Sequence, residues 1–278
     1  MNMRLMYITN DIEVGRIAEK AGVDWIFVDL EYIGKESRQA NRNTVISAHT
    51  IDDVKNMRNN IEKSKLLVRI NPIGKWSEKE IEQVVDAGAD IIMLPFFKTK
   101  EEVKKFISIV GNRTKTCLLV ETMDAVNSID EILDNDDIDY IHIGLNDIHI
   151  ERKTTFMFEF LAEGYIDKLA EKIKQKNIPF GFGGMARIGH LIPPAEHILT
   201  EHYRVGSTGV ILARSFCNYK DFDDLQDFEK VFVNEVQKIR NYEKILKAKP
   251  KEFFEHNKEV TKEEIYEVVK EIKEKNAG

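Results

Sequence analysis

The feature that most constrains this chain is an alternation kept up almost from end to end. Short apolar runs of strand length occupy residues 4–8, 25–30, 65–70, 91–94, 116–120, 140–143, 179–182 and 209–213, with amphipathic stretches between them. The stretch 12–21 puts Val14, Ile17, Ala18 and Ala21 on one helical face, and 77–87 gathers Ile81, Val84 and Val85. Residues 101–110 do the same with Val103, Phe106, Ile107 and Val110. Helical patterns continue at 52–61, 125–133, 160–175 and 194–203, the last opened by Pro193-Pro194. Gly22-Val23-Asp24 and Gly88-Ala89-Asp90 each stop a helix and launch a strand. Eight strands alternating with helices predict an α/β fold of the (β/α)₈ TIM-barrel type, and 278 residues suffice for one such barrel. An open doubly wound sheet is the competitor, but no Gly-x-Gly-x-x-Gly follows the first strand.

The pattern changes after residue 213. A long polar helix is expected over about 225–247, Pro250 breaks it, and Thr261-Lys262-Glu263-Glu264 has the spacing of a capping box opening a final helix. The division is therefore a barrel over 1–220 and a helical extension over 221–278. The last helix carries an apolar stripe of Ile265, Val268, Val269 and Ile272. That stripe lies either on the barrel's own outside or against a neighbouring subunit of a homo-oligomer, and both readings stand.

A net charge of −7 argues against nucleic acid or an anionic membrane as the main partner. Cys117 and Cys217 lack metal-ligand spacing and read as free thiols of a reducing compartment. Met1-Asn2-Met3-Arg4-Leu5 has no apolar leader, and no window reaches the length of a membrane span. A cytoplasmic protein is expected.

In barrels, reactive groups come from strand ends and the loops that follow them. Here those ends deliver Asp29, Glu31 and Tyr32, then Arg69, Pro95, Glu121, Asn146-Asp147, Gly183-Gly184 and Ala213-Arg214. Glu121 and Asp147 stand at the same end of what should be adjacent parallel strands. They are either surface loop acids or the hard-oxygen ligands of Mg²⁺ or Mn²⁺. An arginine beside them suits a substrate carboxylate or an enolate oxygen. Lys65 and Lys115 stand at strand starts, so Schiff-base chemistry has no candidate. His142 reads as a core residue, whereas His149 and His49 are candidate bases from loops. Lys35, Arg38 and Arg42 are either a solvated loop or an anion site, and Gly183-Gly184 with Gly206-Ser207 are either turn glycines or a phosphate site.

Several segments, taken in order, resemble the HpcH/HpaI aldolase/citrate lyase family of the phosphoenolpyruvate/pyruvate barrel superfamily. They are residues 21–31 (AGVDWIFVDLE), 68–72 (VRINP), 85–90 (VDAGAD), 92–95 (IMLP), 120–122 (VET) and 143–147 (IGLND). The resemblance implies that Glu121 and Asp147 ligate a divalent cation, Mg²⁺ by default with Mn²⁺ or Co²⁺ as alternatives. It implies that Arg69 contacts pyruvate or its enolate, that Gly144, Asn146 and Arg214 line the substrate site, and that Asp29 and Glu31 flank water on the cation. It also implies an oligomer. The function it implies is metal-dependent making or breaking of a C–C bond through the enolate of a 2-oxo acid, with a carbohydrate-derived co-substrate. Residues 181–187 and 206–216 resemble a branch associated with bacterial surface-polysaccharide gene clusters.

Two departures qualify this. Where the hydroxy-acid aldolases of the family carry a histidine base, this chain has Tyr32, although the partner position, Asp86, is still acidic. A tyrosine of ordinary pKa is a poor base at neutral pH, so water on the cation, oriented by Asp29 and Glu31, is the preferred base. Residues 98–115 are little more than one helix, which is closer to the citrate lyase β-subunit branch. The rival readings are a non-catalytic barrel for a small acid or sugar, favoured by Tyr32, and a scaffold in a biosynthetic complex.

Overall fold

The computed structural model describes residues 2–34, 48–213 and 215–277. Eight strands, β1 (Arg4–Ile8), β2 (Trp25–Asp29), β3 (Lys65–Arg69), β4 (Ile91–Leu94), β5 (Lys115–Val120), β6 (Tyr140–Ile143), β7 (Phe180–Met185) and β8 (Gly209–Leu212), pair in sequence order. Every pairing is parallel, and β1 closes on β8, as the alternation predicts. Around the barrel run α1 (Ile12–Ala21), α2 (Ile51–Arg58), α3 (Ser77–Asp86), α4 (Lys100–Val110), α5 (Met123–Asn127), α6 (Ile129–Ile132), α7 (Leu145–Arg152), α8 (Glu159–Ala162), α9 (Tyr165–Gln175) and α10 (Ala195–Val205). Two long helices, α11 (Leu225–Leu246) and α12 (Lys251–Ala277), complete the chain.

Alternation along each strand separates two cores. Met6, Trp25, Phe27, Leu67, Ile91, Met93, Cys117 and Leu119 fill the barrel's interior, so it is packed rather than hollow. The other parity, including Ile26, Val28, Leu66, Val68, Ile92, Leu94, Leu118 and Val120, packs outward under the helices. The helices end where local chemistry dictates. Asp11 caps α1 by accepting from the Val14 amide at 3.0 Å, and Gly22 stops it with a left-handed φ of 93°.

Three expectations need correction. β7 runs through Gly183 and Gly184 to Met185, because a strand facing a tight interior tolerates glycines that otherwise read as a turn. The predicted helix 160–175 is two, α8 and α9, broken at Gly164 with φ 79°. The last helix begins straight after Pro250 rather than at Thr261, which is buried mid-helix and accepts from Asn257 Nδ2 at 3.1 Å.

The C-terminal helices pack on their own barrel, although Val268 and Ile272 of the expected stripe are only half-buried. Phe228, Phe232, Val236 and Ile239 of α11 face α1 and β1, with Phe232 edge-on to Tyr7 at 4.9 Å. On α12, Asn257, Thr261, Ile265 and Val269 are buried against α10 and α8. No helix among the described residues is long and apolar enough to cross a membrane.

Candidate active site at the mouth of the barrel

The C-terminal ends of β2, β3 and β5 bring together the charged groups expected there. Asp29 and Arg69 are register partners on β2 and β3. Arg69 Nε donates to Asp29 Oδ1 and Nη2 to Oδ2, both at 2.8 Å. Glu31 Oε2 lies 3.4 Å from Arg69 Nε, and the Glu31 amide donates to Asp29 Oδ1 at 3.2 Å. Asp29 and Glu31 are each 2% exposed and Glu121 is 3%, so these charges interact where water screens little. Burial works against the Arg69 charge, but Asp29, Glu31 and Glu121 outweigh it and push its pKa upward. The Nη1 side of the guanidinium makes no hydrogen bond among the described residues, which leaves a face for an oxyanion.

Glu121 follows β5 directly, and its Oε1 accepts from the Phe96 amide at 3.0 Å. Burial, then the Asp147 charge, raises the Glu121 pKa well above the carboxylate range; Glu31 adds to the rise and Arg69 opposes it. Asp147 reaches the site from the first turn of α7, whose N-cap is Gly144. The helix starts immediately after β6, so its N-terminal partial positive charge favours acids at this point. Gly144 serves by lacking a side chain: a Cβ there would lie 2.8 Å from Glu121 Cβ and 3.2 Å from its Oε2. Asn146, beside Asp147, is exposed.

Other expected residues lie elsewhere. Tyr32 is 63% exposed at the rim, and its side chain makes no hydrogen bond among the described residues. Asp86 is exposed on the last turn of α3, at the end of the barrel where β4 begins, so this chain alone does not bring it to the mouth. Gly206 and Ser207 precede β8 and also face that far end, which removes them from any phosphate site at the mouth. Arg214, Lys35, Arg38 and Arg42 lie outside the described residues. His149 Nδ1 pairs with Thr154 Oγ1 at 2.7 Å in the last turn of α7. His49 stands at the end of β2, where its Nδ1 accepts from the Asp29 amide at 3.0 Å, so the ring proton sits on Nε2. His142 points into the interior and bonds the Gly183 carbonyl through Nε2 at 3.0 Å.

Two contributors were missed from sequence. Phe96 has a left-handed φ of 52°, a strained conformation for an aromatic residue that holds its amide toward Glu121. Asn71, buried after β3, accepts from the Tyr32 and Ile33 amides at 3.0 and 2.8 Å and donates to Glu80 at 2.6 Å, which fixes the start of the loop after β2. Asn71-Pro72 after a strand was a legible turn signal; nothing in the sequence marks Phe96.

The donor set fits a hard cation. Three carboxylates, Asp29, Glu31 and Glu121, act on one guanidinium, Asp147 acts on Glu121, and the Glu121–Asp147 repulsion is what a divalent ion between them would relieve. Among the described residues no group of three or more His, Cys, Asp and Glu side chains is arranged to hold a metal. Glu121 and Asp147 are the two carboxylates that would hold a cation here, with its other positions left to water and substrate.

Comparison with known proteins agrees with this architecture. An HpcH/HpaI aldolase from Desulfitobacterium hafniense DCB-2 is 16% identical, with a TM-score of 0.59 over 76% of this chain and 86% of that one. Citrate synthase SbnG is 14% identical, with a TM-score of 0.60 over 76% and 86%. An HpcH/HpaI aldolase/citrate lyase family protein from Burkholderia cenocepacia J2315 is 13% identical, with a TM-score of 0.59 over 76% and 88%. At such identities these structures speak for the fold alone. No curated protein sequence matches the chain. The model of one family, HpcH/HpaI aldolase/citrate lyase, matches residues 6–160, more than half of the 278, and the chain belongs to that family.

Proposed function

We propose that this protein is a metal-dependent aldolase or lyase that makes or breaks a C–C bond through the enolate of a 2-oxo acid such as pyruvate. The observation that carries the reading is the gathering of buried Asp29, Glu31 and Glu121 about Arg69, with the Asp147 charge acting on Glu121. Glu121 and Asp147 would hold the cation, Mg²⁺ by default with Mn²⁺ or Co²⁺ as alternatives. When bound, that cation would act as a Lewis acid toward the substrate's keto and carboxylate oxygens.

The chain's own residues supply the rest. Arg69, oriented by Asp29, offers its Nη1 side to the substrate carboxylate or the enolate oxygen. Asp29 and Glu31, both beside Arg69, would orient the proton-accepting water. Gly144 keeps the approach to Glu121 open, while Asn146 and Arg214 would line the substrate site. A carbohydrate-derived co-substrate, a role in surface-polysaccharide synthesis, a cytoplasmic location and a homo-oligomeric state complete the proposal. Nucleic acid and membrane are not expected partners.

Exchange of pyruvate methyl protons with D₂O tests this without knowledge of the acceptor. Exchange should require a divalent metal and disappear in Arg69→Ala. Its absence with every divalent metal would favour a barrel that binds a small acid or sugar without turnover, or a scaffold. Exposed Tyr32, in place of a positioned base, favours that second reading.

A further inference from the structure

The end of the barrel opposite the mouth holds an unexplained group of cations. A cavity of about 530 Å³ opens there, where β1, β2, β3 and β6 begin, and Arg4, Trp25, Lys63, Lys65 and Tyr140 are among its walls. Arg4 and Lys65 share the inward parity of Met6 and Leu67, so both sit at the barrel's lower opening rather than on its flank. The Arg4 guanidinium lies 4.4 Å from the Trp25 ring centre and 4.6 Å from that of Tyr140. Gly209 is its register partner on β8.

Among the described residues, no carboxylate lies within 4 Å of Arg4, Lys63 or Lys65. The two acids of the cavity wall are committed elsewhere. Glu19 Oε1 accepts the amides of Glu62, Lys63 and Ser64, and Asp24 Oδ2 accepts from the Leu5 amide and Arg240. A guanidinium used only to plug a barrel would be paired or replaced by an apolar side chain, because an uncompensated charge loses hydration on burial. Arg4 feels that loss, since burial lowers its pKa despite the fields of Tyr140, Cys117 and Asp24. Its rings hold the guanidinium plane still, and its N–H fork is left for a planar oxyanion. Two exposed lysines stand beside it.

We propose that this lower cavity is a second small-molecule site, for an oxyanion ligand carrying carboxylate or phosphate groups, held by Arg4 with Lys63 and Lys65. It is separated from the mouth by the packed interior layers of Phe27, Leu67, Met93 and Leu119, so a ligand there is not a substrate of the Arg69 site.

Calorimetric titration of the full-length protein with inorganic phosphate and, separately, with succinate tests the site. At least one of the two anions should bind saturably at one site. Affinity should fall about tenfold or more in Lys65→Gln and in Arg4→Gln and stay unchanged in Arg69→Ala. Lys65 is exposed at a strand start, so its variant keeps the test alive should Arg4→Gln fail to fold. Tighter binding of phosphate would identify a phosphate ester as the ligand, and tighter binding of succinate a dicarboxylate. Binding lost in Arg69→Ala but kept in Lys65→Gln, or no saturable binding of either anion, would overturn the proposal.

Discussion

Asp29 and Arg69 face each other across β2 and β3 as register partners, joined by two parallel hydrogen bonds of 2.8 Å. The pairing needs no loop to form it, because two neighbouring parallel strands present both side chains to the same interior. The site's cation is thus as rigid as the barrel wall, and its orientation precedes substrate binding. Such preorganisation is what stabilising a developing oxyanion requires.

This pair should be a structural as well as a functional unit. Arg69→Met takes the bidentate cation from buried Asp29, and removing one partner of such a pair costs about 3–5 kcal/mol. Asp29→Asn combined with Arg69→Met should cost less than the sum of the two single variants. Urea unfolding of all three measures the coupling; strict additivity would show that the bidentate pair contributes nothing of its own.

Gly144 offers a test of how closely Glu121 is packed. Its φ of −86° suits any residue, so Gly144→Ala strains no backbone and acts by collision with Glu121 alone. The expected cost is about 1–3 kcal/mol of stability, together with weaker Mn²⁺ binding by calorimetry as Glu121 is displaced. Unchanged Mn²⁺ affinity would separate Glu121 from the metal.

The two proposed ligands themselves predict an asymmetric outcome. Glu121→Gln removes the like charge that Asp147 opposes, so the metal-free variant should unfold at the same or higher urea concentration than the parent. Metal binding should nevertheless be lost, and lost again in Glu121→Gln with Asp147→Asn. Stoichiometric metal in the double variant would refute the assignment.

How much of this was legible follows from the range of each interaction. The strands were readable because parallel strands buried on both faces leave continuous apolar runs, and Glu121 and Arg69 were readable because they end such runs. Asp147 acts electrostatically on Glu121, but the sequence does not reveal that it rides on a helix starting at Leu145, since α7 has almost no amphipathic pattern. The capping spacing at Thr261 misled because the same side chain serves a buried contact with Asn257 in mid-helix. Phe96 was invisible: its conformation is imposed by tertiary packing, and no local rule favours a left-handed phenylalanine.

Proton transfer can be assigned by comparing the two rim residues. A general base is worth about 10²–10⁴ in rate. His49 accepts the Asp29 amide on Nδ1 and so presents a proton, not a lone pair, on Nε2. His49→Asn should therefore retain proton exchange within about tenfold of the parent, and a loss of ~10² or more would make His49 the base. Tyr32→Phe should be equally mild and Tyr32→His should raise the rate; near-complete loss in Tyr32→Phe would make its hydroxyl essential.

Two buried histidines predict the acid limb of stability. His142 and His202 are 2% and 0% exposed, and burial lowers their pKa values to about 4 and about 3; for His142 the Gly183 carbonyl opposes the fall and Arg69 adds to it, while the His142 charge lowers His202 further. In the unfolded chain both revert to about 6.5. Above that pH neither state holds the protons, and stability is full. As pH falls from about 6.5 toward 4, the unfolded chain binds two protons that the folded one refuses, so stability declines by up to ~2.7 kcal/mol per pH unit. His202→Asn removes one of those protons and can keep the bond that His202 Nδ1 makes to Ser207 at 2.8 Å. Urea unfolding between pH 5 and pH 7 should show the slope of this variant lower than the parent's by up to ~1.4 kcal/mol per pH unit, the contribution of one proton. An unchanged slope would mean that His202 is protonated in the folded protein, with a partner for the Nε2 that none of the described residues reaches.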